Sequence, residues 1–78
     1  MTVFELNEVV RFKSAEEHAD PNNKNYMKFF GHICVVTDPD YEGDREGAVD
    51  DYYCVAVRSI GTGEETTCFA FRLEKFDG

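Results

Sequence analysis

The sequence is short of positive charge. Its 78 residues include eight lysines and arginines against sixteen aspartates and glutamates, so the formal net charge is −8, and the basic residues are scattered along the chain. A surface that binds nucleic acid needs clustered Lys and Arg, because counterions released from the phosphates supply much of the affinity. The charge balance therefore argues against direct nucleic-acid binding.

Long hydrophobic runs are also missing. The apolar stretches extend over a few residues, whereas a membrane helix needs roughly 18 or more. The N-terminus, MTVFELNE, has neither the basic start nor the apolar region of a secretory signal. We therefore expect a cytoplasmic protein with no membrane association.

Catalytic, metal-binding and disulfide motifs are not apparent. The three cysteines, Cys34, Cys54 and Cys68, are odd in number and form no CxxC pair, which argues against a secreted disulfide framework. Their spacing favours small apolar residues in strands over a metal or redox site. The chain carries no G-x-S-x-G, no phosphate-binding glycine loop and no histidine cluster. We expect a non-enzymatic protein without a cofactor or bound metal.

The apolar residues that are present alternate with a period of two, which is typical of half-buried strands. Four segments show it: EVVRF, FGHICVVT, YYCVAVRS and TTCFAFRL. The length allows one domain, residues 1–78, with one small core. SIGTGEET, residues 59–66, carries two glycines between strand patterns and predicts a hairpin connection. The long loop of residues 14–25 contains Pro21, with a helical turn predicted at Ser14 to Glu17.

The alternation also predicts which side chains face the core. Phe29 and Phe30 are adjacent, so they cannot both point inward. The expected inward set is Val10, Phe12, Ile33, Val35, Tyr53, Val55, Val57, Phe69 and Phe71.

The order of these segments resembles the small SH3-like barrels of the KOW type. LNEVVRFK is similar to their xGDxVRF start, with Asn7 where the glycine usually stands, and FFGHICVVTD resembles their Gly-x-x-Gly-x-Val strand, with Gly31 as the first glycine and Cys34 replacing the second. FAFRLEKFD is similar to a closing strand, a short 3-10 turn and a last strand. The resemblance implies a mostly β, five-stranded SH3-like barrel with a long first loop, an acidic loop and a 3-10 turn near the C-terminus.

Most of the charge imbalance lies in one segment, DPDYEGDREGAVDD, residues 38–51. Its seven carboxylates against Arg45 give −6, which leaves −2 for the other 64 residues. Such a concentration creates a directional field that can steer a basic partner, although acidic loops are also often plain solvated connections. The carboxylates approach the spacing of an EF-hand loop, but Val49 stands where the bidentate glutamate belongs.

We therefore predict an acidic binding module that engages a protein with a basic surface. Proteins of this size, charge and fold resemble small accessory proteins of phages and bacteria, so an inhibitor or nucleic-acid mimic is one expected form. The alternative is a barrel that binds single-stranded nucleic acid through exposed aromatics such as Tyr26, Phe29 or Tyr52, and a homodimer through edge strands is a further option. The predicted partner interface is Asp38, Asp40, Tyr41, Glu42, Asp44, Glu46, Asp50, Asp51 and Tyr52.

Overall fold

Five antiparallel strands form one sheet in the computed structural model, which describes residues 3–14 and 27–76. The strands are β1 (Val9–Phe12), β2 (Ile33–Asp38), β3 (Cys54–Ser59), β4 (Glu65–Phe69) and β5 (Leu73–Lys75). Short 3-10 helices lie at Met27–Phe29, Arg45–Gly47 and Ala70–Arg72. The predicted mostly β fold, its five strands and the 3-10 turn near the C-terminus are confirmed.

The strand order across the sheet is β4-β3-β2-β1-β5. Within residues 3–14 and 27–76, β4 and β5 are its two end strands and do not pair with each other. No helix in this part of the chain is long and apolar enough to cross a membrane. The predicted helical turn after Ser14 and the predicted exposed Tyr26 fall outside the described residues.

The predicted hairpin between β3 and β4 is confirmed. The Ser59 amide donates to the Glu64 carbonyl at 2.8 Å, and the Gly63 amide donates to the Ser59 carbonyl at 2.8 Å. Gly63 has φ +78°, a left-handed conformation that glycine adopts without steric cost. The glycine at this position therefore allows the short return that brings β4 beside β3.

One face of the sheet carries the core, and its centre agrees with the prediction. Val10, Phe12, Tyr53, Val55 and Val57 are fully buried. Val10 and Phe12 belong to β1, Val55 and Val57 belong to β3, and Tyr53 immediately precedes β3. In both strands an arginine at an alternate position identifies the outer face. Their inward placement is confirmed.

The inward placement of Ile33 and Val35 was wrong, because β2 presents its other face. Both side chains are half-buried, whereas Cys34 and Val36 are fully buried. Cys34 lies directly opposite Val10 of β1. Side chains directly opposite each other on antiparallel strands point to the same face, so pairing with a buried residue places Cys34 inward.

The inward placement of Phe69 and Phe71 was also wrong. Cys68 lies directly opposite buried Val55 and is itself buried, and Ala70 is buried two positions later. Phe69 therefore points outward and is exposed, while Phe71 is half-buried. The smaller side chains of this segment fill the core, and the larger rings lie on its surface.

Two further core residues, Phe4 and Phe29, lie outside the strands. Phe4 is fully buried, and its segment is attached to β2 by hydrogen bonds from the Asn7 amide to the Val36 carbonyl (2.8 Å) and from the Val36 amide to the Glu8 carbonyl (2.9 Å). Phe29 is buried, whereas Phe30 is half-buried and packs against the core. Phe29 is therefore the fully buried member of the pair, but both rings pack against the core, because they lie in a 3-10 helix and the turn after it and not on opposite faces of a strand.

The cysteines occupy strands, as predicted. Cys34 and Cys68 are buried, Cys54 is half-buried, and all three are free thiols. Burial raises the pKa of Cys34 to about 11. Burial, with smaller effects from the other cysteines, raises the pKa of Cys68 to about 12. Both therefore pack as neutral apolar groups.

Candidate interaction surface

The acidic segment, residues 38–51, connects β2 to β3 and is shaped by two of its own carboxylates. Asp38 accepts a hydrogen bond from the Asp40 amide at 3.0 Å, and Asp40 accepts one from the Arg45 amide at 3.0 Å. Hydrogen bonds from backbone amides to nearby aspartate side chains stabilise turns in which those amides lack a backbone acceptor. Asp38 and Asp40 are half-buried, so their first role is to build the segment.

The far end of the segment is held against the region that follows β4. The Tyr52 amide donates to the Val49 carbonyl at 3.1 Å, and the Phe71 amide donates to the Asp51 carbonyl at 3.3 Å. Asp50 between them has φ +53°, a left-handed conformation that Asp tolerates better than most residues. This turn places the side chain of Tyr52 beside the 3-10 helix Ala70–Arg72.

Four carboxylates of the segment are exposed: Glu42, Asp44, Glu46 and Asp50. No ion pair engages any of them within residues 3–14 and 27–76. Three basic side chains elsewhere form ion pairs with other carboxylates, as Arg11–Glu74, Lys28–Glu64 and Lys75–Glu8. The excess negative charge therefore faces solvent along this segment.

The near-calcium spacing does not produce a cation cage. In the part of the chain that the structure describes, which includes the whole acidic segment, no three His, Cys, Asp or Glu side chains converge as metal ligands would. One Asp40 oxygen is occupied by the Arg45 amide. Val49, at the position of the bidentate ligand, is 73% exposed, so the segment lacks the geometry of a hard-cation loop.

Three aromatic side chains meet where the acidic segment ends. The ring centroids of Tyr52 and Phe71 lie 5.1 Å apart, those of Phe69 and Phe71 lie 5.5 Å apart and nearly parallel, and those of Tyr52 and Phe69 lie 6.0 Å apart. Tyr52 is 61% exposed and Phe69 is 40% exposed. We call Tyr52, Phe69 and Phe71 the aromatic cluster. It is an apolar surface outside the core, of the kind that marks interaction sites.

Cys54 of β3 lies between the aromatic cluster and the acidic segment and interacts with both. Cys54, on the outer face of β3, lies directly opposite Phe69 of β4. Its thiol donates to Glu42 at 3.3 Å. Burial first, and then this hydrogen bond and the charges of Glu42 and Asp44, raise the pKa of Cys54 to about 11. The Glu42 carboxylate is thus held next to Cys54, the cross-strand neighbour of the exposed Phe69.

Compared with family models, curated proteins and solved structures, the chain matches none. No family is identified for it, and the resemblance to KOW-type barrels stays a prediction.

The predicted interface residues occupy different parts of this surface. Tyr41 is exposed and borders a surface groove of about 390 Å³ that is also lined by Thr37, Ala56 and Thr67 on the outer face. Tyr52 belongs to the aromatic cluster, and the half-buried Asp51 supplies the carbonyl that holds Phe71. The groove continues the aromatic cluster along β3 and β4, because Ala56 and Thr67 form the next outward pair after Cys54 and Phe69.

Phe69 and Phe71 are the members of the surface that sequence reasoning missed, because their size suggested the core. The signal that could have found them is the neighbouring pair Cys68 and Ala70, which offers an equally periodic inward set.

A second groove, of about 430 Å³, is lined by His32 and Ser59, whose side chains are hydrogen-bonded to each other. The His32 ring nitrogen Nδ1 lies 3.1 Å from Ser59 Oγ. Ser59 is almost fully buried, and the Thr62 amide also donates to its hydroxyl. A catalytic serine must reach its substrate, so this pair is a structural hydrogen bond between the start of β2 and the end of β3.

Proposed function

We propose that this protein is a non-enzymatic binding module that engages a basic surface of a partner protein. The observation that supports it is the exposed aromatic cluster beside the unpaired carboxylates of the acidic segment. Interfaces combine a desolvated aromatic core with a polar rim, and here Tyr52 of the aromatic cluster directly follows the acidic segment along the chain.

The two parts have different roles in the proposed contact. Glu42, Asp44, Glu46 and Asp50 attract a basic surface from a distance and orient it, which accelerates association. Tyr52 supplies a large apolar side chain that loses water on docking, which slows dissociation. A partner whose basic surface ordinarily holds nucleic acid would be blocked by this contact, so inhibition by nucleic-acid mimicry is the form of the function we favour.

The proposed fold family is that of the SH3-like barrels. Asn7, which stands where the family has a glycine, has φ +69°, and Gly31, which matches a family glycine, has φ +78°. Left-handed backbone at both positions explains why glycine, or asparagine as its nearest substitute, stands there. The run of β4, 3-10 helix and β5 also follows the order that the resemblance implies.

Affinity capture tests the proposal when it is combined with charge variants. The protein is immobilised, bound proteins are recovered at low salt, and the affinity of the main recovered protein is measured across a salt series. We expect binding to weaken steeply with salt and to be reduced by Asp44→Asn/Glu46→Gln, since both removed charges belong to the exposed group.

The matched control is Glu5→Gln/Glu64→Gln, which removes the same charge outside the acidic segment. It should leave the affinity nearly unchanged. An affinity that is the same at low and high salt, or that both double variants reduce equally, would contradict the proposal.

The alternative of single-stranded nucleic-acid binding retains one observation in its favour, the exposed ring of Tyr52. Phe29, another of its predicted aromatics, is buried and cannot stack on a base. Retention on heparin or a gel shift with a single-stranded oligonucleotide at low salt would favour this alternative, and we expect neither.

A further inference from the structure

The aromatic cluster already contacts one guanidinium of its own chain. The guanidinium carbon of Arg72 lies over the Phe71 ring, 4.9 Å from its centroid. Phe71 in turn lies nearly parallel to Phe69, whose ring is exposed. The buried Arg72 thus lies against the half-buried Phe71 ring, and Phe71 lies against the exposed Phe69 ring.

A second cation on the exposed rings would gain from the carboxylates around them. Cation–π contacts strengthen when the cation is partly desolvated and when negative charge lies nearby. Glu42 is held beside Phe69 through Cys54, and Asp50 and Asp51 directly precede Tyr52. In addition, the Tyr52 ring is inclined by 61° to the Phe69 ring, so the two rings form a corner rather than a flat plate.

We propose that the corner between Tyr52 and Phe69 receives an arginine side chain from a basic protein partner. This deepens the proposed function and rests on it, since it assigns the chemical group that the partner inserts. The planar guanidinium stacks on the Phe69 ring, against the Tyr52 ring, while its N–H groups face the carboxylates of the acidic segment. Arginine fits better than lysine, because a guanidinium is planar, stacks on rings and is less strongly hydrated than an ammonium.

Peptide titrations followed by NMR test the assignment on the intact chain. The probes are three capped peptides of the same length, Gly-Arg-Gly-Arg-Gly and its lysine and citrulline counterparts. Citrulline keeps the shape of arginine without its charge. We expect the arginine peptide to shift the ring resonances of Tyr52 and Phe69, the lysine peptide to bind more weakly, and the citrulline peptide to cause no shift.

Variants of one exposed ring provide the matched comparison. Phe69→Leu should weaken the arginine peptide by about three- to fivefold, the range expected for an exposed cation–π contact. Phe76→Leu is the control, because Phe76 is 38% exposed, close to the 40% of Phe69, but lies after β5. It should leave the affinity unchanged, and denaturation curves should confirm that both variants fold.

The outcomes separate this assignment from the function on which it rests. Equal binding of arginine and lysine peptides, unaffected by Phe69→Leu but weakened by salt, would overturn the arginine site and leave the basic partner in place. If no basic peptide binds and the lysate yields no salt-sensitive partner, both proposals fail. Shifts of the Tyr52 and Phe69 rings by a single-stranded oligonucleotide would overturn the assignment in favour of base stacking.

Discussion

At the scale of single residues, Cys54 reports on the acidic segment. It is the one cysteine of the three that is not buried, and burial together with its hydrogen bond to Glu42 raises its pKa to about 11. Because the thiolate is the reactive form, a thiol with a raised pKa is alkylated slowly at neutral pH and faster as the pH approaches that pKa. The rate of alkylation at Cys54 therefore responds to the negative charge around it, in addition to its burial.

We expect Glu42→Gln to make Cys54 react roughly two- to tenfold faster with iodoacetamide near about pH 8.5, because a neutral amide no longer opposes the thiolate. The gain is limited, since burial is the largest cause of the raised pKa and persists. Mass spectrometry of the alkylated peptide gives the rate. Glu46→Gln, in the same segment but without a bond to the thiol, is the control, and equal acceleration by both variants would contradict the assigned contact.

At the scale of elements, β2 allows a direct test of which face is buried. Val35 and Val36 are neighbours on one strand, but Val36 is fully buried opposite Val57 and Val35 is half-buried opposite Arg58. The same truncation at each position therefore differs mainly in the apolar area lost and the cavity left.

We expect Val36→Ala to lower the free energy of unfolding by about 2 kcal/mol and Val35→Ala by less than about 1 kcal/mol. Urea denaturation of the two variants and the parent chain measures both values. A larger loss at Val35 would mean that β2 pairs in the other register, with Ile33 and Val35 inward.

The same strand shows where sequence reasoning succeeds and where it stops. In β1 and β3, Arg11 and Arg58 interrupt the apolar pattern and identify the outer face, so the inward residues could be predicted. In β2 the run ICVV is apolar on both faces, and in CFAF, residues 68–71, the two phenylalanines are larger than their neighbours and suggest the core. The choice of face there depends on cross-strand register, which local periodicity does not contain.

At the scale of the whole molecule, the acidic segment and Tyr52 were predictable parts of the candidate surface, whereas Phe69 and Phe71 were not. The charge of the acidic segment can be counted from the sequence. It lies at the surface of the folded protein, because Glu42, Asp44, Glu46 and Asp50 are exposed. Phe69 points outward because β4 pairs with β3 through Cys68 opposite buried Val55. Homodimerisation through the end strands β4 and β5 stays a prediction.

The concentrated charge should also make folding stability depend on salt. Folding holds the like charges of the acidic segment closer together than the unfolded chain does, and salt screens their repulsion. We expect the melting temperature to rise by about 2–5 °C when NaCl is raised from about 10 mM to about 300 mM. Differential scanning fluorimetry measures this rise. The rise should be smaller for Asp44→Asn/Glu46→Gln than for Glu5→Gln/Glu64→Gln, and a melting temperature that falls with salt would contradict this explanation.

The acidic segment is anchored at both ends to adjacent strands, and this anchoring determines how freely its length can vary. Asp38 pairs with Ala56 and the Tyr41 amide donates to the Cys54 carbonyl, so adjacent strands close the segment at its base. Lengthening a loop whose ends are already fixed costs little, since the closure entropy grows only with the logarithm of its length. The segment can therefore be lengthened at little cost in stability while the sheet keeps its register.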